Sequence, residues 1–164
     1  MSRTFDLFDG FLLTPYIAVD KITDARRKGR SLNMFDAEKV VGEWVKMWNS
    51  YDLSRVDDLF LNGDDVTYFS SDREGVIKGM DAVREHHRRF GFAPGGTKHG
   101  NKLWVEKLEA FPMDSVVIVT GIWHFRQVMG RHQWGPFTTV YVQREGRLLI
   151  AHAHFDKYGD ETPS

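Results

Sequence analysis

A chain of 164 residues is long enough to bury the core of one domain and short for two. Apolar residues make up 41%, aromatic residues 13% and charged residues 27%, the profile of a globular protein with large rings to pack around a core or a shared cavity. The balance of 22 basic against 23 acidic residues excludes a general attraction to nucleic acid, the absence of cysteine excludes disulfides and thiolate metal sites, and no apolar run approaches a membrane span.

Asp6, Asp9 and Pro15 interrupt the apolar Phe11-Leu12-Leu13 region, so no signal-peptide run is expected and the expected location is cytoplasmic. Thr14-Pro15 predicts a helix start, and Arg26-Arg27-Lys28 before Gly29 predicts its stop. A short helix over 15–28 follows, with residues 1–13 as an arm. The next helix is marked by Asp36 as its cap and by Val41, Trp44, Val45 and Trp48 at i, i+3, i+4 and i+7. Lys39, Glu43, Lys46 and Ser50 fall on its wet side, and the spacing makes the tryptophans core residues first and ligand contacts second. Ser54 with Asp57 predicts a capping box for a short amphipathic turn carrying Val56, Leu59 and Phe60, ended by Asn62-Gly63.

Residues 66–69 read as a strand, 70–74 as a polar turn and 75–78 as a short returning strand. Gly79 then opens a helix with Asp81 in its first turn and Arg88-Arg89 in its last. Its expected inner face is Val83, His87 and Phe90, with His86 outside. Ala93-Pro94-Gly95-Gly96 is a loop by composition. Four strands are expected after it, over 103–111, 115–127, 137–144 and 147–157, long enough in so small a domain to twist and curl. The expected organisation is an arm and extra helix over 1–35, a domain over 36–158 and a flexible tail over 159–164.

Glu145-Gly146 sets a register. With a two-residue loop, Arg144 pairs with Arg147, Tyr141 faces Ile150, Thr139 faces His152 and Phe137 faces His154. These side chains would share the concave surface lining a pocket. The opposite surface would carry Thr138, Val140, Val142, Leu149, Ala151, Ala153 and Phe155, an apolar set that needs a cover of its own. With no helices left to supply it, the expected partner is a second copy of the chain, a homodimer through the outer sheet face.

Two stretches carry a family resemblance. Glu74-Gly75-Val76-Ile77-Lys78-Gly79-Met80-Asp81-Ala82-Val83 resembles the G-x-(I/V)-x-G-x-(D/E)-A lead into the third helix of nuclear transport factor 2-like proteins. Glu145-Gly146-Arg147-Leu148-Leu149-Ile150-Ala151-His152-Ala153-His154 is similar to the D-G-x-W-x-I-x-H-x-H close of their SnoaL-like branch, and the association domain of calcium/calmodulin-dependent protein kinase II closes similarly. Leu148 stands where tryptophan is usual and Asp156 where serine is common. The resemblance spans residues 36–157 and implies an α+β, cone-shaped fold with N-terminal helices packed on a strongly curved antiparallel sheet. It does not imply one activity, because the fold hosts isomerases, dehydratases, cyclases, binding modules and assembly domains.

The resemblance places the carboxylate base of a ketosteroid isomerase at Ser70 and its helix phenol at Trp44, so that chemistry is disfavoured. Ser50-Tyr51-Asp52 resembles the helix-end Tyr-Asp of scytalone dehydratase, with Tyr68 as a second phenol and His99 or His124 as acid–base candidates. His152 and His154 at i and i+2 could chelate a metal only with a third ligand, such as His99 or Asp52, and the favoured role is structural, so no metal and no cofactor is expected. The leading reading is a pocket for a small apolar or aromatic molecule. Trp44, Trp48, Tyr51, Tyr68 and Trp123 would enclose it with Thr139, Tyr141 and Ile150, and His152 and His154 would hold its polar end. The alternatives are a homo-oligomeric assembly module with a vestigial pocket and a cofactor-free dehydratase- or cyclase-like enzyme.

Overall fold

The computed structural model describes residues 34–161, with side chains from Ala37 onward. The helix expected over 15–28 and the arm over 1–13 lie outside the described residues.

Helix α1 (Met34–Ser50) buries Ala37, Val41, Trp44, Met47 and Trp48, which recur at helical spacing along one stripe. It begins two residues before Asp36, the expected cap, because an aspartate suits a cap and a first turn alike. Helix α2 (Leu53–Leu59) is capped by Asp52, whose carboxylate accepts from the backbone N–H of Ser54 at 3.0 Å. The capping box read at Ser54 and Asp57 is therefore displaced by two residues. Asp57 instead accepts from Arg84 at 2.5 Å.

Strands β1 (Thr67–Phe69) and β2 (Ile77–Lys78) form the expected hairpin, and Gly79 leads into helix α3 (Met80–Arg89). The long strands are β3 (Lys102–Met113), β4 (Val116–Arg126), β5 (His132–Arg144) and β6 (Arg147–Phe155). The sheet runs β2-β1-β6-β5-β4-β3, antiparallel except for the parallel β1–β6 pair. Strand β5 starts five residues before the expected Phe137. A seventh strand, β7 (Gly159–Glu161), pairs with its beginning, where a flexible tail was expected. Gly135 makes this closure possible, since a Cβ there would collide with the backbone of Asp156 and Lys157.

The β5–β6 hairpin departs most from expectation. Glu145 and Gly146 have φ of 50° and 75°, the two left-handed residues of a type I′ turn, and Arg144 pairs with Arg147 as expected. The register holds to Tyr141↔Ile150. A β-bulge at Ala151 then inserts one residue, and Val140 pairs with His152, Thr139 with Ala153, Thr138 with His154 and Phe137 with Phe155. Because side chains alternate at period two, one extra residue exchanges the faces of everything beyond it. His152 and His154 stand on the outer surface, and Ala153 and Phe155 point to the helices.

The helices cover the inner face. Trp44 stacks on Phe155 at 5.1 Å and on Phe137 at 6.1 Å. The side-chain amide of Asn49 donates to the carbonyl of Leu103 at 2.9 Å and accepts its N–H at 2.7 Å, fixing α1 to β3 as a strand neighbour would.

Candidate functional site

Between α1, α3 and the inner face lies a cavity of about 570 Å³. Its apolar wall is built by Trp44, Trp48, Phe90, Trp123, Phe125 and Phe155. Trp123 belongs to this inner face: it is 6% exposed and its indole N–H donates to the carbonyl of Asp156 at 2.9 Å. Polar groups come from Tyr51 and Tyr68, from His86 and His99, and from Asn101, Gln127, Gln133 and the loop after β1.

Five of the ten residues expected to line a pocket meet here: Trp44, Trp48, Tyr51, Tyr68 and Trp123. The other five do not. Thr139, Tyr141 and Ile150 face the helices but lie in the closed core, each at most 2% exposed. His152 and His154 are turned outward by the bulge. His152 shares a 2.8 Å hydrogen bond with the Thr67 hydroxyl across the parallel pair, and the ring of Phe69 packs on both imidazoles. Burial, then neighbouring His154, holds His152 below the ordinary histidine range.

His86, expected outside, is 5% exposed and forms part of the cavity wall. Its ring packs on Tyr68 at 5.0 Å and edge-on to Phe90 at 5.1 Å. The helix ends at Arg89, so the stripe facing the cavity is wider than a three-residue reading of α3 allows. A signal was present: His86 lies three residues after Val83, the same spacing as His87 to Phe90. Desolvation, then the charges of Arg73 and Arg89, pulls His86 down to about 4, so its imidazole is neutral near neutral pH. His87 is wholly buried and pulled down to about 3 by desolvation, its Nδ1 hydrogen-bonded to the Val83 carbonyl at 2.8 Å. Burial, then Asp72, pushes the Tyr68 hydroxyl far above its ordinary range, and burial raises Tyr51 as well.

At the rim, charges are already paired. Arg131 makes a two-pronged ion pair with Asp160 on β7, which also accepts from Gln133 at 3.1 Å, and Lys157 meets Asp72 at 3.2 Å. Arg131 then Gln133 hold the Asp160 carboxyl down to about 2. Exposed Val128 and Met129, in the turn between β4 and β5, stand beside this rim.

His99 stacks on Tyr51 at 4.0 Å within the cavity, but His124 lies on the outer face. There it forms a row of rings with Trp104 at 4.8 Å and with His132 at 5.4 Å, and contacts Glu106 at 3.5 Å. Ser70 and Trp44 both reach the cavity and supply neither a carboxylate nor a phenol. Among the described residues, no group of three or more histidines and carboxylates is placed to hold a metal ion. No described helix is long and apolar enough to cross a membrane.

No family model and no curated protein matches the chain. Solved structures do. A nuclear transport factor 2-like protein from Salmonella enterica serovar Typhimurium superposes with a TM-score of 0.64 at 14% identity, over 76% of this chain and 91% of that one. A candidate calcium/calmodulin-dependent protein kinase II association domain from Xanthomonas campestris gives 0.64 at 15% identity, over 74% and 85%. A candidate scytalone dehydratase from Novosphingobium aromaticivorans gives 0.64 at 12% identity, over 80% and 87%. At such identities the likeness speaks for architecture alone, and the chain has the nuclear transport factor 2-like fold.

Proposed function

We propose that this chain is a SnoaL-like pocket protein whose cavity binds a small, largely apolar or aromatic molecule. The observation that carries the reading is the cavity itself, about 570 Å³ with indole and phenyl walls and a limited set of polar groups at its rim. That volume and composition suit a ligand of two or three fused rings. The polar end falls to Tyr51, Tyr68 and the rim residues, the part that sequence assigned to His152 and His154. Thermal melts with α-tetralone, 2-naphthol and 2-naphthoic acid test it. At a hundredfold excess over Kd, binding adds about 2.7 kcal/mol and raises Tm by several degrees. Melts unchanged by every compound of this size would remove the reading.

Assembly belongs to the same proposal. On the outer face Val116, Ile118, Val140, Val142 and Leu149 are only half-buried within one chain, and Phe111 and Met113 are exposed. A second copy would cover them as a homodimer in the cytoplasm. Sedimentation at micromolar concentration reads the oligomeric state, and a monomer there would end that part of the proposal.

A cofactor-free dehydratase- or cyclase-like activity is the second reading, favoured by the convergence of Tyr51, Tyr68 and His99 on one cavity. It would use His99 as the proton carrier, since His124 lies on the other face.

A further inference from the structure

The β4–β5 hairpin ends beside the cavity in a tight turn. Gly130 N–H donates to the Gln127 carbonyl at 2.9 Å, Gln127 N–H donates to the Arg131 carbonyl at 2.8 Å, and Gly130 has φ of 86°. Such a turn asks for glycine at its third position and suits polar residues at the two before it. Val128 and Met129 stand there instead, 65% and 86% exposed, and both belong to the cavity wall. The tip is also held in place. Asn101 accepts from the Val128 N–H at 3.0 Å and donates to the Tyr51 hydroxyl oxygen at 2.7 Å, and a Cβ on Gly100 would lie 2.9 Å from Cγ2 of Val128. Two adjacent apolar side chains kept in water by a fixed turn do nothing for the folded chain alone, and they mark a surface for an apolar partner.

The charge around the tip narrows the partner. Arg126 precedes the turn, Lys102 pairs with it across β3 and β4, and Lys98 shares a loop with Gly100. All three are exposed. Arg126 lies over the Trp104 ring at 5.4 Å, and among the described residues none of the three makes an ion pair with a carboxylate. Elsewhere on the cavity wall the cations are engaged: Arg131 meets Asp160, and Arg89 shares Glu85 with Arg88 at 3.6 Å. Glu161, opposite His132, is exposed and offsets one of the free cations. An apolar tip ringed by surplus positive charge fits a surface that is apolar within and negative at its boundary, which describes an anionic bilayer. The outer-face patch offered to a second copy includes Val116 and Ile118, at the opposite end of β4, so the two surfaces do not compete.

We propose that the cavity mouth docks on an anionic lipid bilayer, with Val128 and Met129 inserted among the lipids and Lys98, Lys102 and Arg126 at the headgroup phosphates. Docking of this kind leaves the chain peripheral, since only a turn enters. The wall formed by Val128 and Met129 then continues from the lipid into the cavity, and an apolar molecule passes between them without crossing water. That passage rests on the proposed ligand-binding function. The docking itself does not, because it is read with vesicles alone.

Co-sedimentation of the full chain with vesicles of phosphatidylcholine, alone or mixed with phosphatidylglycerol, tests it. The wild type should bind the mixed vesicles about tenfold more tightly than the neutral ones, and less tightly as salt rises. Met129→Ser should lower affinity for the mixed vesicles about tenfold through lost apolar burial, whereas Met129→Leu should keep it. Lys102→Glu combined with Arg126→Glu should remove the preference for anionic vesicles. Met113→Ser makes the same exchange at a residue 56% exposed on the far end of the sheet, and should leave binding within about twofold. Circular dichroism and melting establish that each variant is folded. The proposal is overturned if the wild type ignores the mixed vesicles, if Met113→Ser weakens binding as much as Met129→Ser, or if the anionic preference survives the charge reversal. A change of oligomeric state in Met129→Ser without lipid would assign the tip to a second copy and overturn it equally. Docking that persists while every ring compound leaves the melts unchanged would remove the pocket reading alone.

Discussion

The two faces of the sheet use histidine in opposite ways. Behind the inner face, His86 and His87 sit among Trp48, Tyr68, Phe90 and Phe92, and desolvation is the largest influence on both. On the outer face His124 lies beside Glu106 and His132, and His152 beside Thr67; burial is the largest influence there too, and at His124 the carboxylate of Glu106 opposes it. The inner imidazoles behave as polar aromatic packing. Those outside are partly exposed and meet polar side chains.

The largest effect that would break this contrast is a charge placed behind the bulge. Ala153→Asp buries a carboxylate at a site with no exposure, and should cost roughly 3–5 kcal/mol, seen as a collapse of the urea midpoint. Val140→Asp, one strand away on the outer face, should keep the folded spectrum and dissociate the proposed dimer in sedimentation. Equal stability of the two variants would contradict the face assignment.

Acid comes next. Unfolded histidine takes up a proton as pH falls through about 6.5, whereas His87 in the folded chain stays neutral until about 3. Falling pH therefore favours the unfolded chain across that window, by about 2 kcal/mol at pH 5 for His87 alone. Urea midpoints measured from pH 7.5 to 4 should decline accordingly, and His87→Gln should flatten the slope even though it lowers stability at neutral pH. An unchanged slope in that variant would move the acid sensitivity to another group.

Deleting Ala151 is gentler. The residues on either side of the bulge already pair in their final registers, so the deletion should leave a folded sheet with His152 still outside, at a loss of about 1 kcal/mol. Loss of folding would show that the bend supplied by the bulge is needed for closure. The smallest effect belongs to Glu106→Gln. Glu106 raises His124 against the larger influence of burial, so its neutralisation should lower the His124 titration further in NMR, with a stability change below about 1 kcal/mol.

Much of the architecture was legible because it is written in local periodicities. The α1 stripe, the type I′ signal at Glu145-Gly146, the four long strands and the lead into α3 each depend on residues close in sequence. Half of the expected pocket lining followed, namely the residues carried by α1, its end, β1 and β4. The misplaced residues have two causes. One residue inserted at Ala151 exchanged the faces of His152, Ala153, His154 and Phe155, and no turn signal or composition marks that insertion. His86 was set outside because a short helix offers too few turns to define how wide its buried stripe is.

The amino-acid sequence by itself determined the order of elements, the turn that starts the last hairpin and the aromatic side chains of α1 and β4 that wall the cavity. Only the tertiary structure decided which histidines meet that wall, that β7 returns to close beside it, and that Asn101 holds the Tyr51 hydroxyl. The physical reason is range. Periodicity reports which side of an element is apolar, whereas a bulge, a rim ion pair or a side-chain amide bridge depends on atoms brought together from distant positions, and a single inserted residue suffices to exchange what two faces present.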